Sequence, residues 1–124
     1  MAQEEGAERP EFNVEVQDHD SATVLSITGH ITELEADELG SQFDELFQDG
    51  KYDLVLDLGN VDFMSSSGLG QIMRAYRTAT QNAGSVCLAR VQPPLGDVFR
   101  VTKLDQLLEI YETVEEAVED EGEE

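Results

Sequence analysis

The stretch Tyr52–Tyr76, YDLVLDLGNVDFMSSSGLGQIMRAY, decides how the rest of the chain is read. Its opening, residues 52–58, is a nearly continuous apolar run, short enough for a buried strand of a parallel sheet. Its end places Leu69, Ile72, Met73 and Tyr76 at i, i+3, i+4 and i+7, one apolar stripe of a helix. Between them stand three serines, Ser65, Ser66 and Ser67, and two glycines, Gly68 and Gly70. Serine is a favoured N-cap because its oxygen accepts from an orphan helix N–H, and Ser66 or Ser67 is expected to fill that role. One cap does not account for three serines. Glycine in the first turns of a helix costs stability, so Gly68 and Gly70 are expected to supply positive φ or the close approach of another chain.

The same alternation extends in both directions. Phe12, Val14 and Val16 alternate with polar residues, a half-buried strand. The turn residues DHDS at 18–21 lead into a second strand, 23–29, which Gly29 is expected to stop. Residues 32–48 read as a helix with Leu34, Leu39, Phe43, Leu46 and Phe47 inward and Gly50 as its stop. Gly40 weakens that helix by about 1 kcal/mol relative to alanine. Further elements are a strand at 84–91, a proline-opened helix at 93–104 with Leu95, Val98 and Phe99 inward, and a short strand at 107–111. Thr113 and Glu116 form a capping box for a last helix. The order is ββαβαβαβα, an α/β fold with a mixed, mostly parallel β-sheet and packed α-helices. In such sheets function gathers at the carboxyl ends of strands, where the serines lie.

The 124 residues fit one domain, expected over 11–119, between a flexible acidic N-terminus at 1–10 and an acidic tail at 120–124. The formal net charge is −21, with lysine only at Lys51 and Lys103. A surface this acidic repels nucleic acid and anionic membranes, which demand Lys and Arg. It suits a basic protein partner or a saline cytoplasm. No apolar run approaches the roughly 18 residues of a transmembrane helix, and the N-terminus has no secretory apolar core, so the chain is expected in the cytoplasm with no direct membrane insertion. Cys87 is the only cysteine and reads as a buried small hydrophobe.

Enzyme motifs fail on inspection. The serines are not set in G-x-S-x-G, no P-loop occurs, and the G-x-G at 68–70 meets Met73 where a dinucleotide site needs its third glycine. His19 and His30 form no spaced metal set with Cys87, and no cofactor is expected. A serine hydrolase would need a base and an oxyanion motif, neither of which is evident.

The block LVLDLGNVDFMSSSGLGQIMRAYRTA at 54–79 resembles the signature of the STAS family, specifically the bacterial anti-sigma factor antagonists. There an apolar strand with an LDL core leads into D-S-S/T-G-L-G and then a helix. LSITGHIT resembles the family's second strand and its GELD turn, and PPLGDVFRVTKLDQLLEIYETVEEAV resembles its closing elements. The resemblance covers roughly 11–119, with Ser65 where the motif has aspartate, and Ile31 and Thr32 closing the GELD-like turn.

It implies a STAS-like fold and a non-enzymatic, phosphorylation-controlled switch. Ser66 stands at the phosphoacceptor position. The unmodified protein would bind an anti-sigma factor, usually a GHKL-type serine kinase, and so free the sigma factor. The kinase would use its own ATP and Mg²⁺ to phosphorylate Ser66, and a PPM-type phosphatase would reset it. The candidate partner-binding surface is Ser65, Ser66, Ser67, Gly68 and Leu69, with His30, Arg74 and Arg77 beside it. Core packing is the first expectation for Leu69 and a surface turn for His30, while the two arginines could equally pair with neighbouring acids. Asp57 is expected to make a structural hydrogen bond. The alternative is a non-phosphorylated accessory or scaffold subunit of a phospholipid-transport or stress-signalling complex.

Overall fold

In the computed structural model, which describes residues 11–122, the central strand runs far beyond the apolar stretch that announces it. Strands β1 (Asn13–Asp18) and β2 (Thr23–Ile31) form an antiparallel hairpin. Helix α1 (Glu33–Gln48), strand β3 (Asp53–Met64), helix α2 (Ser66–Gln81), strand β4 (Ser85–Ala89) and helix α3 (Pro93–Val101) follow. A 3₁₀ turn (Leu104–Gln106), strand β5 (Ile110–Tyr111) and helix α4 (Val114–Gly122) complete the order. The five strands lie in the sheet as β1-β2-β3-β4-β5, with every pair after the hairpin parallel.

Strand order repeats chain order, so right-handed crossovers carry each connecting helix to the same face. Leu54, Leu56 and Leu58 of β3 share a core with Leu39 and Phe43 of α1, Ile72 and Ala75 of α2, and Leu95 and Phe99 of α3. Val55 points the other way, where Val24, Cys87 and Ala89 meet Ala117 and Val118 of α4. Burial on both faces is why 54–58 lacks the period-two alternation of a half-exposed strand. Cys87 is buried, as its apolar neighbours imply.

Several local expectations change. Leu34 is 72% exposed, because the helix it belongs to begins at Glu33 and its inward stripe starts at Ala36. Gly29 does not stop β2. It sits within it at a register shift, with φ +113 and the Phe12 backbone against its α-carbon. Gly50 does close α1, at φ +79, its N–H donating to the Phe47 carbonyl. Helix α3 ends at Val101 rather than 104, because Lys103 turns left-handed at φ 64. The strand expected at 107–111 is only Ile110–Tyr111, since the 3₁₀ turn and the buried Leu108 occupy the preceding residues. Thr113 Oγ1 accepts from the Glu116 N–H, one half of the expected capping box, and α4 continues to Gly122. The acidic end expected from 120 thus begins inside this helix, while residues 1–10 and 123–124 lie outside the described residues.

Asp57 makes its structural bond at the rim of the sheet. Its Oδ1 accepts from the Gly59 N–H at 3.0 Å and faces Arg90 Nε at 3.3 Å. The Arg90 guanidinium lies where a Cβ on Gly59 would be, so glycine is needed for the side chain to reach back from β4.

Candidate functional site

Strand β3 delivers the serines to the surface without an intervening loop. Met64 still pairs with Ile31, and the Ser65 N–H donates to the Ile31 carbonyl at 2.8 Å. One residue later the helix has begun. Ser65 is extended, at φ −76 and ψ 171, and its Oγ accepts from the Gly68 N–H. The N-cap is therefore Ser65, not Ser66 or Ser67. A residue with β-region dihedrals must occupy the cap, and Ser65 is the last residue that still follows the strand.

This assignment leaves Ser66 with no capping duty. It is the first helical residue, exposed, and its hydroxyl has no hydrogen-bond partner among the described residues. Ser67 is half-buried. The first turn of α2 holds no acidic residue, so the positive end of the helix dipole is unopposed there.

The glycines separate. Both have ordinary helical backbone, so neither supplies positive φ. Gly68 is buried, and a Cβ on it would lie 2.6 Å from Met64 Cγ and 3.0 Å from Ile31 Cγ2. It lets the first turn seat on the strand ends. A Cβ on Gly70 would meet nothing within 4 Å. Leu69 is half-buried against the core.

The flanking candidates divide likewise. Arg74 donates to Gln71 Oε1, to Asp44 Oδ1 at 3.0 Å and to the Gly40 carbonyl at 3.3 Å, which ties α2 to α1. Arg77 is exposed and makes no ion pair among the described residues. Arg74 is thus engaged with α1, whereas Arg77 is not. His30 belongs to β2 rather than to a turn after it. Its Nδ1 lies 2.5 Å from Asp62 Oδ1, and its ring centroid lies 5.3 Å from that of Phe63, which is itself exposed. Pairing of β2 with the far end of β3 brings these three together, and nothing in the spacing of residues 30 and 62 announced it.

Thr32 precedes α1 as Ser65 precedes α2. The Glu35 carboxylate accepts from its backbone N–H at 3.1 Å and from its hydroxyl. The Thr32 hydroxyl holds the Glu35 carboxyl below the usual glutamate range, with backbone bonds assisting. The T-x-x-E spacing is a capping-box signal that the sequence offered and that the reading of 32–48 passed over. Among the described residues no trio of His, Cys, Asp and Glu is placed to hold a metal ion, and no helix is long and apolar enough to cross a membrane.

Comparison with known proteins matches the family model described as "STAS domain" to residues 13–117. The chain is 28% identical over 102 residues to the anti-sigma F factor antagonist of Paenibacillus polymyxa, covering 82% of this chain and 87% of that one. It superposes with a TM-score of 0.80 and 26% identity on an anti-sigma factor antagonist from Mycobacterium paratuberculosis, covering 89% and 93% of the two chains. The phosphorylated form of the Bacillus cell fate determinant SpoIIAA shares the fold, with a TM-score of 0.71 at 22% identity over 89% of this chain and 98% of that one.

Proposed function

The chain belongs to the STAS domain family, and from that premise we propose that it is an anti-sigma factor antagonist whose partner binding is switched at Ser66. The observation that carries the reading is the division of labour between two adjacent serines. Ser65 caps the helix, and Ser66 presents an unengaged hydroxyl on the surface. The names carried by the relatives of similar length support the same reading, and the fold neighbour SpoIIAA has a phosphorylated form.

Unmodified, the chain binds an anti-sigma factor through the surface around Ser66 and so frees a sigma factor. The partner is a serine kinase of the GHKL type, and ATP and Mg²⁺ belong to it. Ser66 Oγ attacks the γ-phosphorus, an Oγ–P bond forms, ADP leaves with the bridging oxygen, and a base of the kinase takes the hydroxyl proton. The product carries about −1.5 to −2 charge. At a helix N-terminus that charge is tolerated, with a local gain of about 0.3–1 kcal/mol, so the fold survives. A partner surface that covered the hydroxyl would have to desolvate the ion, at several kcal/mol, and each 1.4 kcal/mol weakens binding tenfold. A PPM-type phosphatase restores the hydroxyl.

The test is incubation with the cognate kinase and ATP, followed by phosphosite mapping and binding assays. One phosphate on Ser66 is expected, with Ser66→Ala unmodified and Ser66→Asp losing at least tenfold in affinity for the anti-sigma factor. A phosphate on Ser65 or Ser67, or undiminished binding by Ser66→Asp, overturns the reading.

A further inference from the structure

A partly unpaired strand edge lies at the opposite end of the sheet from Ser66. Strand β4 is five residues long, but its outer neighbour β5 pairs with it only at Leu88 and Ala89. The Ser85 N–H donates inward, to the Tyr52 carbonyl of the β3 side at 3.0 Å. The Leu88 N–H donates outward, to the Glu109 carbonyl at 2.9 Å, and the Arg90 N–H to the Tyr111 carbonyl at 2.9 Å. By the alternation of a parallel ladder, Val86 N–H and C=O also face outward. Neither has a backbone partner among the described residues, although Val86 is only 4% exposed. A backbone donor and acceptor in so sheltered a position normally find partners.

These groups open into a cleft of about 500 Å³. Tyr76 and Thr80 of α2 form one wall, Asp120 and Glu121 of α4 the other, and the half-exposed Leu107 and the Glu109 side chain border it. The cleft is acidic and uncompensated. The Tyr111 hydroxyl lies between the Glu109 and Asp120 carboxylates, and the Ser85 hydroxyl between Asp53 and Glu121. Each hydroxyl has one proton to donate and faces two carboxylates. Among the described residues no lysine or arginine lines the cleft.

We propose that this open edge of β4 receives, by strand addition, an extended segment of a partner protein bearing lysine or arginine at alternate positions. Main-chain bonds to Val86 supply the pairing, and the alternate cations meet Glu109, Asp120 and Glu121. Glu109 reaches β4 only at Leu88, and the residues before it leave Val86 without a backbone partner because Leu108 is buried in the main core. A second copy is opposed by a net charge of −21 on each molecule. The inference is independent of Ser66, which follows the carboxyl end of β3, whereas Ser85 pairs with its first residue, Asp53.

The experiment uses the ¹⁵N-labelled full chain and a six-residue peptide of alternating valine and lysine with blocked ends. One control replaces lysine with glutamate; another keeps the lysines but N-methylates alternate amides. In the free chain the Val86 amide should exchange readily. With the lysine peptide it should become protected, with amide shifts centred on 85–87. The glutamate peptide and the N-methylated peptide should leave it unprotected. Glu109→Gln, Asp120→Asn and Glu121→Gln should each weaken the lysine peptide about threefold, as partly exposed charge pairs do, and salt should weaken it further. Equal binding by the N-methylated peptide, or shifts spread over the acidic surface, would mean charge attraction alone and sink the proposal. So would a Val86 amide already protected in the free chain. Protection independent of protein concentration would assign the edge to the chain's own 107–109 segment, and protection rising with concentration would assign it to a second copy.

Discussion

The Gly68 N–H donates to Ser65 Oγ across 3.2 Å, one residue either side of a Ser66–Ser67 pair that takes no part in the bond. That single bond divides the serine run into a structural residue and an available one. Serine at 65 offers an oxygen to an orphan helix donor as aspartate would, without placing a carboxylate beside Ser66.

The two hydroxyls should therefore separate cleanly in a stability measurement. Ser65→Ala is expected to lower the unfolding free energy by about 1 kcal/mol in urea titration, and Ser65→Asp to restore it. Ser66→Ala should change stability by less than about 0.5 kcal/mol, as an exposed substitution with no bond to lose. Equal losses at both positions would contradict the assignment of the cap.

The two glycines of the same turn should respond with opposite signs. Gly68→Ala drives a methyl against Met64 and Ile31 and should cost about 1–3 kcal/mol. Gly70→Ala meets open space within a helix and should stabilise the domain by about 0.5–1 kcal/mol. If Gly70→Ala stabilises the isolated chain yet weakens anti-sigma factor binding, the open space above it is filled by that partner. Thermal unfolding and a binding titration on the same variant read both effects.

Much of this was legible from residue order. The ββαβαβαβα order, the apolar stripe of α2, the closing glycine at 50 and the buried cysteine all follow from local patterns with a period or a known turn chemistry. The misses have a common cause. Whether β3 stops at Leu58 or continues to Met64 depends on β2 running alongside it, and β2 in turn shifts register at Gly29, where the Phe12 backbone leaves no room for a Cβ. The cap could not be assigned while the strand end was unknown. His30, Asp62 and Phe63 likewise meet through strand register, and Arg74 is claimed by Asp44 and the Gly40 carbonyl of another helix. Pairings across the sheet and between helices leave no periodic trace.

Glu121 gives a pH dependence of defined sign. Burial pushes its carboxyl above the usual glutamate range; Ser85 and Cys87 partly offset this, and Asp53 and Asp120 add to the rise. The folded chain therefore binds this proton more tightly than the unfolded chain. The associated stability is full below the unfolded glutamate value and is lost as pH rises through the raised folded value. Glu121→Gln should be more stable than the parent at neutral pH. The difference between the two should shrink as pH falls through that window, followed by urea unfolding at several pH values. A constant difference would show that the carboxyl is not perturbed.

Cys87 should behave as an inert thiol. Burial, with Glu121 contributing, pushes its pKa up to about 12, so almost no thiolate exists at neutral pH. Alkylation by iodoacetamide should proceed at the rate of unfolding or local opening, and should accelerate with urea in step with loss of structure. Rapid labelling of the native chain would mean that α4 does not stay packed over β4.

The sheet is laid down in the order in which the chain is synthesised, each strand beside its predecessor and never between two earlier ones. Growth is therefore one-sided, with each new strand added at the free edge left by the one before. Only α4 breaks the pattern, closing the rear of a platform already complete. A chain ending before residue 114 would leave Val24, Val55, Cys87 and Ala89 bare, a sticky back plate on a finished front.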